Sequence, residues 1–118
     1  MSNRGDLEFL RDIKEAINRI EKYTKNVSYN SFAKNTKTQD AVVRNMEILG
    51  EAAKHISSET KKECSQIPWS KIAGIRDRLI HNYFGVNYDI VWAVVRKELK
   101  SLSSEIDSII QKIQNNKS

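Results

Sequence analysis

Cysteine occurs once in these 118 residues, at Cys64, and proline once, at Pro68. A lone thiol excludes an intrachain disulfide, and no Cys/His cluster has the spacing of metal ligands. Cys64 is therefore expected to be a bystander, and neither a metal nor a cofactor is expected. One proline and four glycines leave few helix breakers over this length, which favours long helices over a turn-rich β fold. Sustained period-two alternation, the signal of a half-buried strand, is missing as well. No apolar run approaches the roughly 20 residues of a membrane span. The stretch from Met1 to Leu10 carries Arg4, Asp6 and Glu8 and has no apolar h-region, unlike a signal peptide. These absences predict a cytoplasmic protein that does not enter a membrane.

What is present is an ordinary soluble balance, 39% hydrophobic and 30% charged. The length suits one domain over residues 1–118 with one hydrophobic core. The formal charge of +5 fits a polyanionic partner such as RNA without requiring one.

Four segments carry helical periodicity. The first runs from about Asp6 to Lys25, with Leu10, Ile13, Ile17 and Ile20 on one face and Asp6 as its expected N-cap. Tyr29 to Ala33 is expected to form a short turn of helix. The second runs from about Thr38 to Ser58, capped by Thr36 or Thr38, with Val42, Met46, Leu49, Ala53 and Ile56 inward. Gly50 lies inside it at a cost of about 1 kcal/mol against alanine, which a close helix–helix approach would justify. The third starts near Pro68-Trp69, where proline suits a first helical turn, and should run to about Asn82. The fourth runs from about Asp89, its expected cap, to Ile113 on an almost unbroken stripe from Val91 to Ile113. The fold class predicted is all-α, an antiparallel bundle of four main helices.

The third segment breaks its own pattern. Trp69, Ile72, Ala73, Ile75, Leu79, Ile80, Tyr83 and Phe84 share an apolar arc on a 100° wheel, and Arg76 falls near its middle. An arginine there should be buried or at an interface, with its charge matched. Either it pairs with an acid of the second helix, Glu47 or Glu51, or it faces a crevice and holds an anion such as phosphate. His81 lies about 140° away on a continuous helix. The two side chains then converge only if the helix deforms before His81, if Arg76 reaches round, or if two subunits combine. Asp77 precedes His81 by four residues and can orient its imidazole. His55 reads as a surface residue.

The residues from Pro68-Trp69-Ser70-Lys71-Ile72 through Arg76, Asp77, His81, Asn82, Tyr83, Phe84 and Gly85 to Val91-Trp92 resemble the HepT-like branch of the HEPN superfamily. So does the upstream stretch Gln39 to Glu47 followed by Gly50-Glu51-Ala52. The resemblance spans nearly the whole chain, with its weakest part at Asn26 to Asn35. It implies a dimerising helical bundle that acts as the toxin of a type VII toxin–antitoxin pair, a metal-independent ribonuclease acting on tRNA or mRNA. It implies an MntA-like nucleotidyltransferase as the neutralising partner, which transfers AMP to a tyrosine. Carried onto this chain, the Arg-x4-His-x-Tyr motif makes Arg76 and His81 catalytic and Tyr83 the AMP acceptor. Asp77 and Asn82 would support them, and Arg44 and Glu51 would line the site or serve the scaffold.

The chemistry expected is attack of a ribose 2′-OH on the adjacent phosphate, with His81 as base and Arg76 stabilising the charged transition state. The products would be a 2′,3′-cyclic phosphate and a 5′-hydroxyl. One chain has a single motif histidine and a symmetric dimer has two, which supplies both base and acid. Two rival readings use the same residues: a non-catalytic helical dimer that binds nucleotide or the transferase, and a purely structural bundle in which Arg76 makes a buried ion pair.

Overall fold

Leu10, Ile13, Ile17 and Ile20 recur at three- and four-residue steps on helix α1 (Asp6–Thr24), and all four are fully buried. The computed structural model describes residues 5–80 and 85–116. Among them are eight helices and no extended strand, so the all-α expectation holds. After α1 come α2 (Tyr29–Lys34), α3 (Thr36–Lys54), α4 (Ser58–Glu63), α5 (Trp69–Ala73), α6 (Ile75–Leu79), α7 (Tyr88–Lys97) and α8 (Leu99–Asn116).

Long-range contacts give the helix directions. The carboxylate of Asp6, at the start of α1, accepts hydrogen bonds from the Ser57 N–H at 2.9 Å, the Ser57 hydroxyl at 2.6 Å and the Thr60 hydroxyl. The start of α1 therefore lies beside the end of α3, and the two run antiparallel. Arg96, near the end of α7, donates to the carbonyls of Thr24 and Val27 just where α1 ends. Midway along α1, Lys14 pairs with Asp107 of α8 at 2.8 Å, so α8 also runs against α1. Val42, Met46, Leu49 and Ala53 of α3 complete the core with Leu99 and Ile106 of α8.

Several local expectations are corrected. Asp6 is not an N-cap: Gly5 holds that position, and Asp6 spends its oxygens on Ser57 and Thr60. Burial raises the Asp6 pKa, but the hydrogen bonds from Ser57 and Thr60 outweigh it and hold the carboxyl below its usual range. Helix α3 is capped by Asn35, whose side chain accepts from the Thr38 N–H at 3.0 Å, and not by Thr36 or Thr38. It ends at Lys54, and the separate α4, which periodicity did not suggest, follows with Ser57 as its cap. Asn87 and not Asp89 caps α7, accepting from the N–H groups of Asp89 and Ile90, while Asp89 accepts from the Tyr29 hydroxyl.

The two later helices are both interrupted. The segment expected to run unbroken from Pro68 is split at Gly74 into α5 and α6 and stops at Leu79, with Pro68 in the cap position. The segment expected from Asp89 to Ile113 is broken at Glu98, whose φ of −117° departs from the helical value. Glu98 itself stays bonded on both sides, its N–H to the Val94 carbonyl and its carbonyl to the Leu102 N–H. The buried apolar residues keep their spacing across the break, from Val91, Val94 and Val95 to Leu99, Leu102 and Ile106, so the stripe reads as one helix.

Candidate functional site

Gly50 decides how near the short helices come to α3. A Cβ built on it would lie 2.8 Å from Ile75 Cγ2 and 3.0 Å from the Ile72 carbonyl oxygen. The absent side chain lets α5 and α6 cross α3 in close contact, as the mid-helix glycine suggested. That crossing sets α6 over the C-terminal half of α3 and brings Arg76 beside it.

Arg76 is 70% exposed, and its Nε lies 3.9 Å from Glu47 Oε2. The expectation of a buried arginine fails for this chain taken alone, because α6 lies on the rim of the bundle and a wheel cannot register that. The pairing with Glu47 exists, but it is long and open to water, and so tethers the side chain without consuming it. Arg76 lines an open cleft of about 460 Å³ with Arg44, Glu47 and Glu51 of α3, His55, and Phe9 of α1. Two residues singled out from the sequence, Arg44 and Glu51, are thus brought to Arg76. Glu51 also pairs with Lys54 at 3.3 Å. Three cations, Arg44, Lys54 and Arg76, face three carboxylates, Asp12, Glu47 and Glu51, so the cleft is balanced in charge.

Arg78, two residues on, has a different fate. It makes two hydrogen bonds to the Glu98 carboxylate, at 3.1 and 2.9 Å, and Lys71 lies 3.8 Å from the same group. The Arg78 hydrogen bonds hold the Glu98 carboxyl below its usual range against the opposing effect of burial. This fork ties α6 to the junction between α7 and α8.

His81, Asn82 and Tyr83 lie outside the described residues, and so do their relations to Arg76 and Asp77. Asp77 is exposed and does not line the cleft. The flanking geometry is defined. Ile80 is extended (φ −106°, ψ 124°), and its N–H bonds the Arg76 carbonyl at 3.0 Å. Ile80 forms an isolated antiparallel bridge with Val86, and the Asn87 N–H donates to the Leu79 carbonyl at 2.7 Å. Gly85 has φ +73°, a conformation that favours glycine. The helix therefore ends before His81, so the 140° separation drawn on a continuous wheel does not apply.

His55 is on the surface, as expected, but periodicity missed that it lines the same cleft. Its ring stacks on Phe9, with centroids 5.0 Å apart and planes within 15°. Only the registration of α1 against α3 creates this pair, and no local signal marks it. Cys64 is buried, and burial pushes its thiol pKa up, which makes it a poor nucleophile. Among the described residues no cluster of three His, Cys, Asp or Glu side chains is arranged to hold a metal, and no helix is long and apolar enough to cross a membrane.

A family model described as Ribonuclease HepT-like matches residues 13–109, a span that includes both stretches around Arg44 and Arg76. The chain is 40% identical over 106 residues to the "probable ribonuclease HepT" of Thermococcus cleftensis, covering 90% of this chain and 96% of that one. A provisionally named RNase of Methanocaldococcus jannaschii is 35% identical over 109 residues, 92% of this chain and 100% of the other. Another, from Caldanaerobacter subterraneus, is 44% identical over 88 residues, 75% and 79% of the two chains. No solved structure matches.

Proposed function

The chain belongs to the HepT-like ribonuclease family, and from that premise we propose that it cleaves RNA with Arg76 and His81 as its catalytic residues. The observation that carries this reading is the contrast between two arginines on α6. Arg78 is committed to Glu98 by two hydrogen bonds, whereas Arg76 stands 70% exposed at an open cleft with one long ion pair. An exposed guanidinium tethered by Glu47 is available to a phosphate and already roughly oriented.

In the proposed reaction His81 takes the proton of a ribose 2′-OH, and the 2′-oxygen attacks the adjacent phosphorus. The bond from phosphorus to the 5′-oxygen breaks, and a second imidazolium, His81 of a second copy in a homodimer, gives that oxygen a proton. Arg76 stabilises the charge that builds on the phosphoryl oxygens. The products are a 2′,3′-cyclic phosphate and a 5′-hydroxyl, and no step calls for a metal. Asp77 and Asn82 hold His81 and the phosphate in place. Arg44, which lines the same cleft, serves as a further anion contact, and Glu51 acts on it only through the charge balance of the cleft.

Regulation follows the same chemistry. We propose an MntA-like nucleotidyltransferase as partner: the Tyr83 hydroxyl attacks the α-phosphorus of ATP, pyrophosphate leaves, and AMP remains on the tyrosine. Bulk and negative charge two residues from His81 would then repel RNA.

The test is cleavage of a labelled RNA by the purified protein in EDTA, with end-group analysis. Arg76→Ala and His81→Ala should each lower the rate on the order of 10²- to 10⁴-fold while circular dichroism stays native. Full cleavage by either variant would overturn the assignment. RNA binding by the wild type without any cleavage would favour a non-catalytic binding dimer. For the modification, a mass increase of one AMP mapped to Tyr83 is expected, and an increase mapped elsewhere would refute it.

A further inference from the structure

The sequence carries a formal charge of +5, and the structure shows where part of that excess collects. It is not at the candidate cleft, where cations and carboxylates are equal in number. A second groove, of about 650 Å³, lies where α1 ends beside the junction of α7 and α8. Lys22, Lys25, Arg96 and Lys100 line it, and Glu21 is its one carboxylate. We propose that this groove is a binding site for the phosphodiester backbone of RNA, separate from the cleavage cleft; the choice of RNA among polyanions rests on the ribonuclease reading.

Three observations support it. First, Lys22, Lys25 and Lys100 are exposed, and among the described residues none forms an ion pair. Four cations gathered around one carboxylate repel one another, and a polyanion relieves that repulsion while releasing its own counterions. Second, Arg96 is held in place by the Thr24 and Val27 carbonyls and by the Trp92 ring, 4.3 Å from its guanidinium carbon. One wall of the groove is therefore preorganised. Third, helix stability accounts for only part of the cluster. Lys22 and Lys25 sit at the carbonyl end of α1, where a cation is favoured. Lys100 and Arg96 come from other helices and reach the same groove through tertiary packing.

The groove and the cleft lie toward opposite ends of α1. From Phe9 to Lys22 the helix rises about 20 Å at 1.5 Å per residue. A strand that touches both must be several nucleotides long. The groove then acts on long RNA and leaves very short oligonucleotides unaffected.

The experiment measures binding, so that it is independent of cleavage. Anisotropy of a labelled 20-nucleotide RNA is followed between 50 and 200 mM salt for the full chain and for the triple variant Lys22→Ala/Lys25→Ala/Lys100→Ala. Each lost phosphate contact should flatten the slope of log K against log salt by about 0.7 to 0.9, so loss of three contacts should change it by about 2 to 3. Affinity at 100 mM salt should fall at least tenfold, with little change for a trinucleotide. An unchanged slope and affinity for the 20-nucleotide RNA overturns the proposal. So does a loss confined to poly-glutamate, which assigns the groove to an acidic protein, or one confined to vesicles containing phosphatidylserine, which assigns it to a membrane surface. A wild type that binds RNA through these lysines but never cleaves it leaves the groove in place and removes the catalytic reading.

Discussion

Placing a methyl group on Gly50 tests the contact that positions Arg76. On an isolated helix Gly→Ala is favourable by about 1 kcal/mol, so the bare expectation is stabilisation. Here the new Cβ would stand 2.8 Å from Ile75 Cγ2 and 3.0 Å from the Ile72 carbonyl oxygen. The Ile75 methyl is part of a buried side chain, and the Ile72 oxygen is backbone, so relief requires α5 and α6 to move away from α3. Overpacking of this kind costs about 1–3 kcal/mol, which cancels the propensity gain or exceeds it. Gly50→Ala should therefore leave stability unchanged or lower it by up to about 2 kcal/mol, read from the urea midpoint at constant m-value. Displacement of α6 also carries Arg76 away from Arg44 and Glu47. A shift on the order of 1 Å at a catalytic group can lower a rate roughly 100-fold, so RNA cleavage should fall more than stability does. A variant about 1 kcal/mol more stable than wild type with full cleavage would refute the close crossing and the placement of Arg76 that depends on it.

Arg78→Ala removes the fork on Glu98 from a half-exposed site and should cost about 1–2 kcal/mol, visible as an earlier urea midpoint. Asp6→Asn weakens the hydrogen bonds joining α1 to Ser57 and Thr60 and should cost about 1–3 kcal/mol at pH 7. Both effects depend on pH with a definite sign. Asp6 and Glu98 are held below their ordinary values of 3.8 and 4.5, so their contribution is complete above those values and disappears as pH falls through the lower folded ones. The gap in urea midpoint between wild type and Asp6→Asn should therefore be constant from pH 7 to about 5 and narrow toward pH 3. A gap that widened on acidification would contradict the assigned contacts.

Helix termini were the least legible part of the chain, and each error has a definite physical cause. Asp6 has the chemistry of an N-cap, yet Ser57 and Thr60, over 50 residues away, supply donors that outcompete the local N–H groups. Thr36 and Thr38 were plausible caps, but Asn35 precedes both and reaches the Thr38 N–H. Gly74 and Glu98 interrupt helices whose apolar spacing continues across the break, because periodicity records which side faces the core and not whether each backbone dihedral stays helical.

The amino-acid sequence alone determined the helical class, the inward faces of α1, α3 and α8, the meaning of Gly50 and the family to which the chain belongs. The first three follow from spacing along the chain, which is local, and the family from the residues matched along it. Tertiary structure decided which arginine stays available. On a wheel Arg76 belongs to the buried arc, and only the position of α6 at the rim leaves it exposed while Glu98 takes Arg78. Tertiary structure also decided where charge accumulates. Lys22, Lys25, Arg96 and Lys100 are scattered over some 80 positions and become one groove only when the end of α1 meets the junction of α7 and α8. The register between helices is set by side-chain packing across the core, and no single helix carries that information.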